Sequence, residues 1–401
     1  MDRPAVDVTG MGLLCSLGNS VDEVFARMCR GECGMRPIDR FPVQDYPQKN
    51  AGQLSPDTEA ELRRQFADED LAAAMVKTAG AEALNQAGLG RAGAPDPRRG
   101  LVLATNFGPM ETLEWCWRER LDVGTLDRDT FARFSGFVAV IAAALGCGGP
   151  RTQISLSCAS GAGAVALASD WIRTGRAERV LAIGYDLLTE FCWCGLTNLR
   201  TITTDAVRPF DVRRSGTIFS EGAGAMLLEA ETSRRARGAQ ALVRVAGVAT
   251  GNNAFHMTAP AKEGEGSRRG MAAALQDAGL SPAALDHVCA HATATTANDP
   301  TEVAALRRLL GSDLERVTVS GHKSQLGHLM GAAGIAEAIV TATVIRRGII
   351  PPTINHDQPD PECRVDCVPG AARQKPVRCA ITNSAGIGGT NAALVLQARA
   401  D

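Results

Sequence analysis

Aromatic residues make up only 4% of the 401-residue chain, while glycine (42 residues) and alanine-rich runs are abundant. Small side chains in that proportion imply closely packed helices and strands joined by many tight turns. Charge of one sign is also missing. A formal net charge of −2 gives no footing for nucleic acid or an anionic membrane. No run of about eighteen apolar residues occurs, so no spanning helix is expected. The opening Met1-Asp2-Arg3-Pro4 shows no basic and apolar signal pattern before the strand-like Ala5–Thr9. The twelve cysteines include no C-x-x-C, and the i,i+4 pairs Cys29/Cys33 and Cys363/Cys367 have no matching histidine pair. Neither a zinc ribbon nor any other metal site is expected. Gly10-Met11-Gly12 lacks the third glycine of a dinucleotide fingerprint, because Cys15 stands there. These absences point to a soluble cytoplasmic protein with reduced thiols.

What is present alternates. Strands are expected at Leu101–Thr105, Val180–Gly184, Gly222–Glu229, Leu242–Ala249, Val288–Ala290 and Gly389–Leu396. Between them lie helical patterns at Leu71–Leu89, Phe137–Leu145, Ala164–Ile172, Met271–Gly279 and Ile335–Ile345. Ser20 with Glu23 reads as a capping box. This order argues for α/β layers. The similar glycine-led strands at 222–229 and 389–396 suggest two related halves, 1–235 and 236–401, joined by the polar run Thr232–Gln240.

Four stretches carry chemistry. The first is Ile154-Ser155-Leu156-Ser157-Cys158-Ala159-Ser160-Gly161, which reads as strand, tight turn and helix. Cys158 stands at the helix N-terminus, where unpaired N–H groups favour thiolate. On position alone a nucleophile and a small buried thiol fit equally well. The second runs from His291 through Thr293, Thr295, Asn298 and Asp299 to Glu302. The third is Lys323-Ser324-Gln325-Leu326-Gly327-His328, followed by Gly331-Ala332-Ala333-Gly334. The fourth is the glycine turn Asn383-Ser384-Ala385-Gly386-Ile387-Gly388-Gly389-Thr390-Asn391. Cysteine with histidine is the combination that nucleophilic acyl transfer needs.

In this order the four stretches resemble the β-ketoacyl-acyl-carrier-protein synthases, and most closely the KAS II-like type that includes type II polyketide ketosynthase subunits. Arg208-Pro209-Phe210-Asp211 and Glu221-Gly222-Ala223-Gly224 add to the likeness, which runs from about residue 5 to 397. The resemblance implies a thiolase-like fold, two βαβαβ halves in a five-layer αβαβα arrangement. It implies decarboxylative Claisen condensation of an acyl thioester with malonyl-acyl carrier protein, giving 3-oxoacyl-acyl carrier protein. Cys158 would carry the acyl chain, and His291 and His328 would hold the malonyl carbonyl. Lys323 would act electrostatically beside Glu337, with Thr293 and Thr295 in support. The backbone N–H groups of Cys158 and Ile387 would form the oxyanion hole. No cofactor is implied beyond the carrier's phosphopantetheine. The partners implied are the carrier protein and a second subunit, either an identical chain or a cysteine-less chain-length-factor-like one.

The chain departs from the family pattern in two places. Alanine replaces glycine after the first histidine (Ala292), and Ala385 and Ile387 stand where fatty-acid members usually have phenylalanine. The smaller side chains imply an altered acyl gate, with Met110, Phe134 and Phe137 expected to complete the wall. That favours a type II polyketide, polyene or specialised fatty-acid pathway. The alternatives are housekeeping elongation, acyl transfer without condensation, and a non-catalytic chain-length partner. Arg63 and Arg64 are the candidate carrier-docking residues, although acidic positions follow them (Asp68, Glu69, Asp70).

Overall fold

A computed structural model describes residues 4–399 except 68, 91–93, 120–135 and 262. Ten strands form one large sheet. In chain order they are β1 (Val6–Cys15), β2 (Arg99–Ala104), β3 (Arg151–Ile154), β4 (Arg179–Asp186) and β5 (Gly222–Ala230), then β6 (Val243–Asn252), β7 (His287–Cys289), β8 (Thr318–Ser320), β9 (Cys379–Ala385) and β10 (Thr390–Gln397). Their spatial order is 3-2-4-5-1-6-10-9-7-8. Each half therefore repeats one pattern, with three parallel strands followed by two antiparallel ones. The halves meet where β1 pairs with β6, Val6 opposite Val245 and Val8 opposite Val243. The chain crosses between them through a short helix, Glu231–Ala236.

Five helices matter for the site: α1 (Leu71–Gln86), α2 (Ser160–Arg173), α3 (Glu265–Asp277), α4 (Asn298–Leu310) and α5 (Ala333–Arg347). Helix α1 covers the outer face of the first half-sheet, and α3 covers that of the second with α4 packed beside it in the same apolar cluster. Helices α2 and α5 lie together between the half-sheets and touch strands of both. The apolar residues fall into three large clusters that match these gaps, a central one and two outer ones. Every residue of β1, β2, β4 and β5 is buried, as expected of strands covered on both faces.

The glycines explain how the layers come so close. A Cβ at Gly10 would stand 1.9 Å from the carbonyl oxygen of Ala83, and one at Gly12 2.0 Å from that of Ala79. This pair serves to seat α1 on β1, and Gly247 does the same for α3, 2.1 Å from Ala274 O. In the middle layer a Cβ at Gly161 would meet Ile335 N at 2.6 Å, and one at Gly334 would meet Ala162 N at 2.7 Å. Close crossing of α2 and α5 brings both of their N-termini to the same end of the molecule.

Most of the expected elements form, with shifted ends. β1 continues to Cys15, and the cysteine helix starts at Ser160. Glu23 does reach back, but to the Asn19 N–H at 3.0 Å, while Ser20 caps the helix. The stretch that runs from His291 to Glu302 is loop only as far as Ala297, and Asn298 opens helix α4; the first residues of the glycine turn, Asn383–Ala385, belong to strand β9. Among the described residues, no helix is long and apolar enough to cross a membrane.

Candidate active site

The site gathers where the two central helices begin. Cys158 lies two residues before α2, in a turn closed by Ser160, whose Oγ accepts from Leu156 N at 2.7 Å and donates to Ser157 O at 2.6 Å. Ser157 takes φ 55, a left-handed conformation costly for a residue with a Cβ. The Ser157 hydroxyl faces the Cys158 sulfur at 3.9 Å, and the Ile387 N–H is directed at it. The glycine turn is tied to the cysteine turn by Thr390 Oγ1, which donates to Leu156 O at 2.8 Å. Gly386 has no room for a Cβ, which would lie 2.3 Å from Thr390 Oγ1.

His291 leaves the end of β7 on a loop held by carboxylates from α4. Glu302 accepts the N–H groups of His291 and Ala292 at 2.7 and 2.8 Å, and Asn383 donates to it at 2.6 Å. Asp299 accepts Ala294 N at 3.0 Å. These bonds fix Ala292 at φ 40 and Ala294 at φ 60. His328 precedes Met330, which takes φ 53 and donates its N–H to His328 Nδ1 at 3.0 Å. Lys323 is buried and pairs with Glu337 in the first turns of α5.

The side chains of Cys158, His291 and His328 converge. One ligating atom each from Cys158, His291 and His328 lie within 4.8 Å of one another, and the imidazole rings stand edge to face at 5.5 Å. Such a trio could hold a metal ion, but the hydrogen bonds oppose it. Lys323 Nζ, which can only donate, faces His291 Nδ1 at 3.3 Å, and Met330 N–H occupies His328 Nδ1. Both rings therefore carry their proton on Nε2 and offer donors, not lone pairs, to the site. Burial, helped by Lys323, holds both histidines well below the usual value, so both are neutral.

Cys158 corrects the expectation of a thiolate. Burial pushes the thiol above its ordinary value, and the Ser157 hydroxyl, Lys323 and the Ile387 N–H only partly offset this. Burial also raises Glu337 to about 7 and Asp299 to about 6.

A cavity of about 580 Å³ opens onto the sulfur. Thr293 and Thr295 line it, their hydroxyls 3.0 Å apart, as do Ala385 and Ile387. Phe137 instead stacks on Tyr185 in the outer core, its ring centroid 5.3 Å away. Met110 opens the helix Met110–Arg118 away from the cavity lining, and Phe134 lies outside the described residues. Arg63 is held by Glu59 and Glu111 at 2.9 and 2.6 Å, and Arg64 is paired with Glu61. Asn106 and Met330, which line the cavity, and Asp186 behind them carry none of the roles assigned to the four motif stretches. A carboxylate closing the apolar strand β4 was the one available signal.

Residues 3–233 match the N-terminal domain of beta-ketoacyl synthases, and residues 242–357 match the C-terminal domain. The chain belongs to the β-ketoacyl synthase family. Nodulation protein E of Rhizobium meliloti is 34% identical over 406 residues, covering 99% of this chain and 100% of that protein. The 3-oxoacyl-[acyl-carrier-protein] synthase 2 of a Synechocystis species is 33% identical over 417 residues, covering 99% of each. Among solved structures, the ishigamide ketosynthase/chain length factor superimposes with a TM-score of 0.90 at 33% identity, covering 100% of both chains. A type II polyketide ketosynthase, bound to the hexaketide and in complex with its acyl-carrier protein, gives 0.90 at 25%, covering 99% of this chain and 100% of the other. The thiolase-like fold and the condensing-enzyme class expected of this synthase thus hold.

Proposed function

We propose that this β-ketoacyl synthase elongates an acyl chain on a carrier protein through Cys158, within a type II polyketide, polyene or specialised fatty-acid pathway. The observation that carries the reading is the convergence of Cys158 with two neutral histidines whose Nε2–H groups face the same cavity. In the first half-reaction the Cys158 sulfur attacks the acyl thioester, the oxyanion forms between the Cys158 and Ile387 N–H groups, and the carrier thiol leaves with the proton. In the second, His291 and His328 donate to the malonyl thioester oxygen as negative charge builds there and CO2 departs. Each such donor contributes on the order of 10²–10³ in rate. The carbanion then attacks the acyl-cysteine carbonyl and Cys158 is expelled. One proton is taken up per turnover. Lys323 orients His291, and Thr293 and Thr295 support the arm along the cavity.

We take residues 1–235 as the half that supplies the nucleophile and 236–401 as the half that supplies Lys323, the histidines and the glycine turn. The substrates come as thioesters on phosphopantetheine, with no further cofactor. A dimer, with an identical chain or a cysteine-less homologue, would cover the exposed Trp115, Trp117, Val140 and Phe191. Arg63 and Arg64 remain the docking candidates, although local acids already engage them. Twelve unbonded cysteines suit the cytoplasm.

Incubation with acyl- and malonyl-acyl carrier protein tests the reading. CO2 release with a 3-oxoacyl product is expected; acyl-enzyme alone would mean transfer without condensation. Cys158→Ala should abolish acyl labelling, and retained labelling refutes its role.

A further inference from the structure

Asp186 ends β4 fully buried, behind the catalytic cavity. Its Oδ1 accepts from Thr105 Oγ1 at 2.6 Å and from the Asn106 and Phe107 N–H groups at 3.1 Å each. Its Oδ2 accepts the Gly331 N–H at 2.6 Å. Four donors from two separate loops thus close on one carboxylate. One loop, Asn106–Phe107, lines the cavity. The other follows His328.

The second connection reaches the chemistry within three residues. Gly331 N–H is fixed by Asp186. The preceding Met330 is held in the left-handed region at φ 53 and gives its own N–H to His328 Nδ1 at 3.0 Å. A non-glycine residue adopts that conformation only where its surroundings enforce it. Asp186 is the polar anchor directly beyond it. Gly331 is committed to the contact, since a Cβ there would stand 2.7 Å from Asp186 Oδ2 and 3.0 Å from Asn106 N. The link extends to the nucleophile as well. With its amide turned to suit its neighbours, Asn106 donates to Ser157 O at 2.9 Å and presents its oxygen to Gly331 N at 3.3 Å.

We propose that Asp186 is a positioning residue for the malonyl half-reaction: by holding Gly331 it keeps the strained Met330 turn that fixes the His328 tautomer and aims its Nε2 proton into the cavity. The proposal rests on the role given above to His328. Without the carboxylate, Gly331 N–H can turn to the Asn106 oxygen, Met330 relaxes, and His328 Nδ1 loses its donor. The acyl-transfer half-reaction uses Cys158 and the Ile387 N–H, which meet Asp186 only through the Asn106 side chain and Ser157 O, so it is affected less than the half that depends on His328.

Asp186→Asn replaces one acceptor oxygen with a donor at equal volume. Acylation of Cys158 should stay within about threefold of wild type, while kcat for condensation falls about 10- to 100-fold with little change in KM for malonyl-carrier protein. Nitrogen-15 NMR of the histidine side chains should show His328 passing from a single Nε2–H tautomer to a mixture. Asp186→Glu, which keeps an acceptor, should recover part of the rate. Equal losses in both half-reactions with His328 still in one tautomer would reduce Asp186 to a structural group, and unchanged condensation would overturn the proposal outright. Should Asp186→Asn fail to fold, Gly331→Ala presses on the same carboxylate and is read by the same two assays. If the wild-type enzyme itself does not condense, the parent reading fails, and the NMR tautomer still decides the role of Asp186.

Discussion

Lys323 Nζ donates to the backbone carbonyl of His291 at 2.6 Å and to its ring Nδ1 at 3.3 Å, so one ammonium holds the loop and selects the tautomer. The same ammonium pairs with Glu337, whose carboxyl burial raises to about 7 even with Lys323 beside it to pull it down.

That double duty separates stability from activity. Lys323→Met leaves Glu337 buried without its partner, a loss of about 3–5 kcal/mol in comparable pairs. The loss should be larger at pH 8 than at pH 6, because at the lower pH Glu337 takes up a proton and is no longer a bare charge. Lys323→Met with Glu337→Gln should regain most of the stability in urea unfolding yet remain defective in condensation. A double variant that regained both would show that the pair is only structural.

The raised thiol of Cys158 makes a kinetic prediction. Alkylation by iodoacetamide should climb about tenfold per pH unit up to pH 9, since only the thiolate reacts. A plateau below pH 7 would mean that the helix terminus outweighs burial after all.

Ala292 stands at φ 40 where the resemblance anticipates glycine. The left-handed region costs a residue with a Cβ about 1–2 kcal/mol, and glycine's freedom in the unfolded chain returns part of that. Ala292→Gly should therefore stabilise the protein by about 0.5–1 kcal/mol in urea unfolding. A loss of stability would show that the alanine methyl, packed near Gly321, contributes more than its strain costs.

His322 is fully buried and neither of its ring nitrogens has a hydrogen-bond partner. Burial, then Lys323, lowers it to about 3. Between pH 3 and about 6.5 the unfolded chain binds a proton here and the folded chain does not, so this group's contribution is lost as pH falls. His322→Leu should flatten the rise of stability from pH 5 to 6 by about 1.4 kcal/mol per pH unit. Asp186 and Asp299, both raised to about 6, slope the other way but are common to both proteins. An unchanged slope would place a partner or water on the ring.

Strand and helix order was legible because apolar runs and their punctuation are local properties. Cys158, His291, Lys323 and His328 stand out in the sequence because each lies in a motif, and the fold brings their side chains together. The devices that aim them were not. Left-handed backbone at Ser157, Ala292, Ala294 and Met330 leaves no glycine in the sequence to announce it. Asp186 and Gly331 are 145 residues apart and meet only through the fold. Gly10 and Gly12, rejected as a nucleotide motif, found their reason only once α1 was seen lying on them. Phe137 has the composition of a pocket wall, but it faces the outer core, a matter of helix rotation that the sequence does not fix.

Ala385 and Ile387 are where substrate choice is expected to be decided. Ala385 pairs with Asn391 at the open end of β9, and Ile387 is 39% exposed, yet both line the cavity beside Cys158. Rings at both positions would narrow the space that a bulky or rigid acyl chain must pass, while a short flexible chain could still thread through. The variant carrying Ala385→Phe and Ile387→Phe should acylate with short saturated chains within about twofold of wild type, and with branched or polyunsaturated chains at least about tenfold more slowly, an effect of about 1.4 kcal/mol or more on the barrier. Mass spectrometry of the acyl group trapped on Cys158 from a mixed carrier pool reads both at once. If every chain loads at the wild-type rate, neighbouring side chains fill the space and the two small residues do not set the substrate.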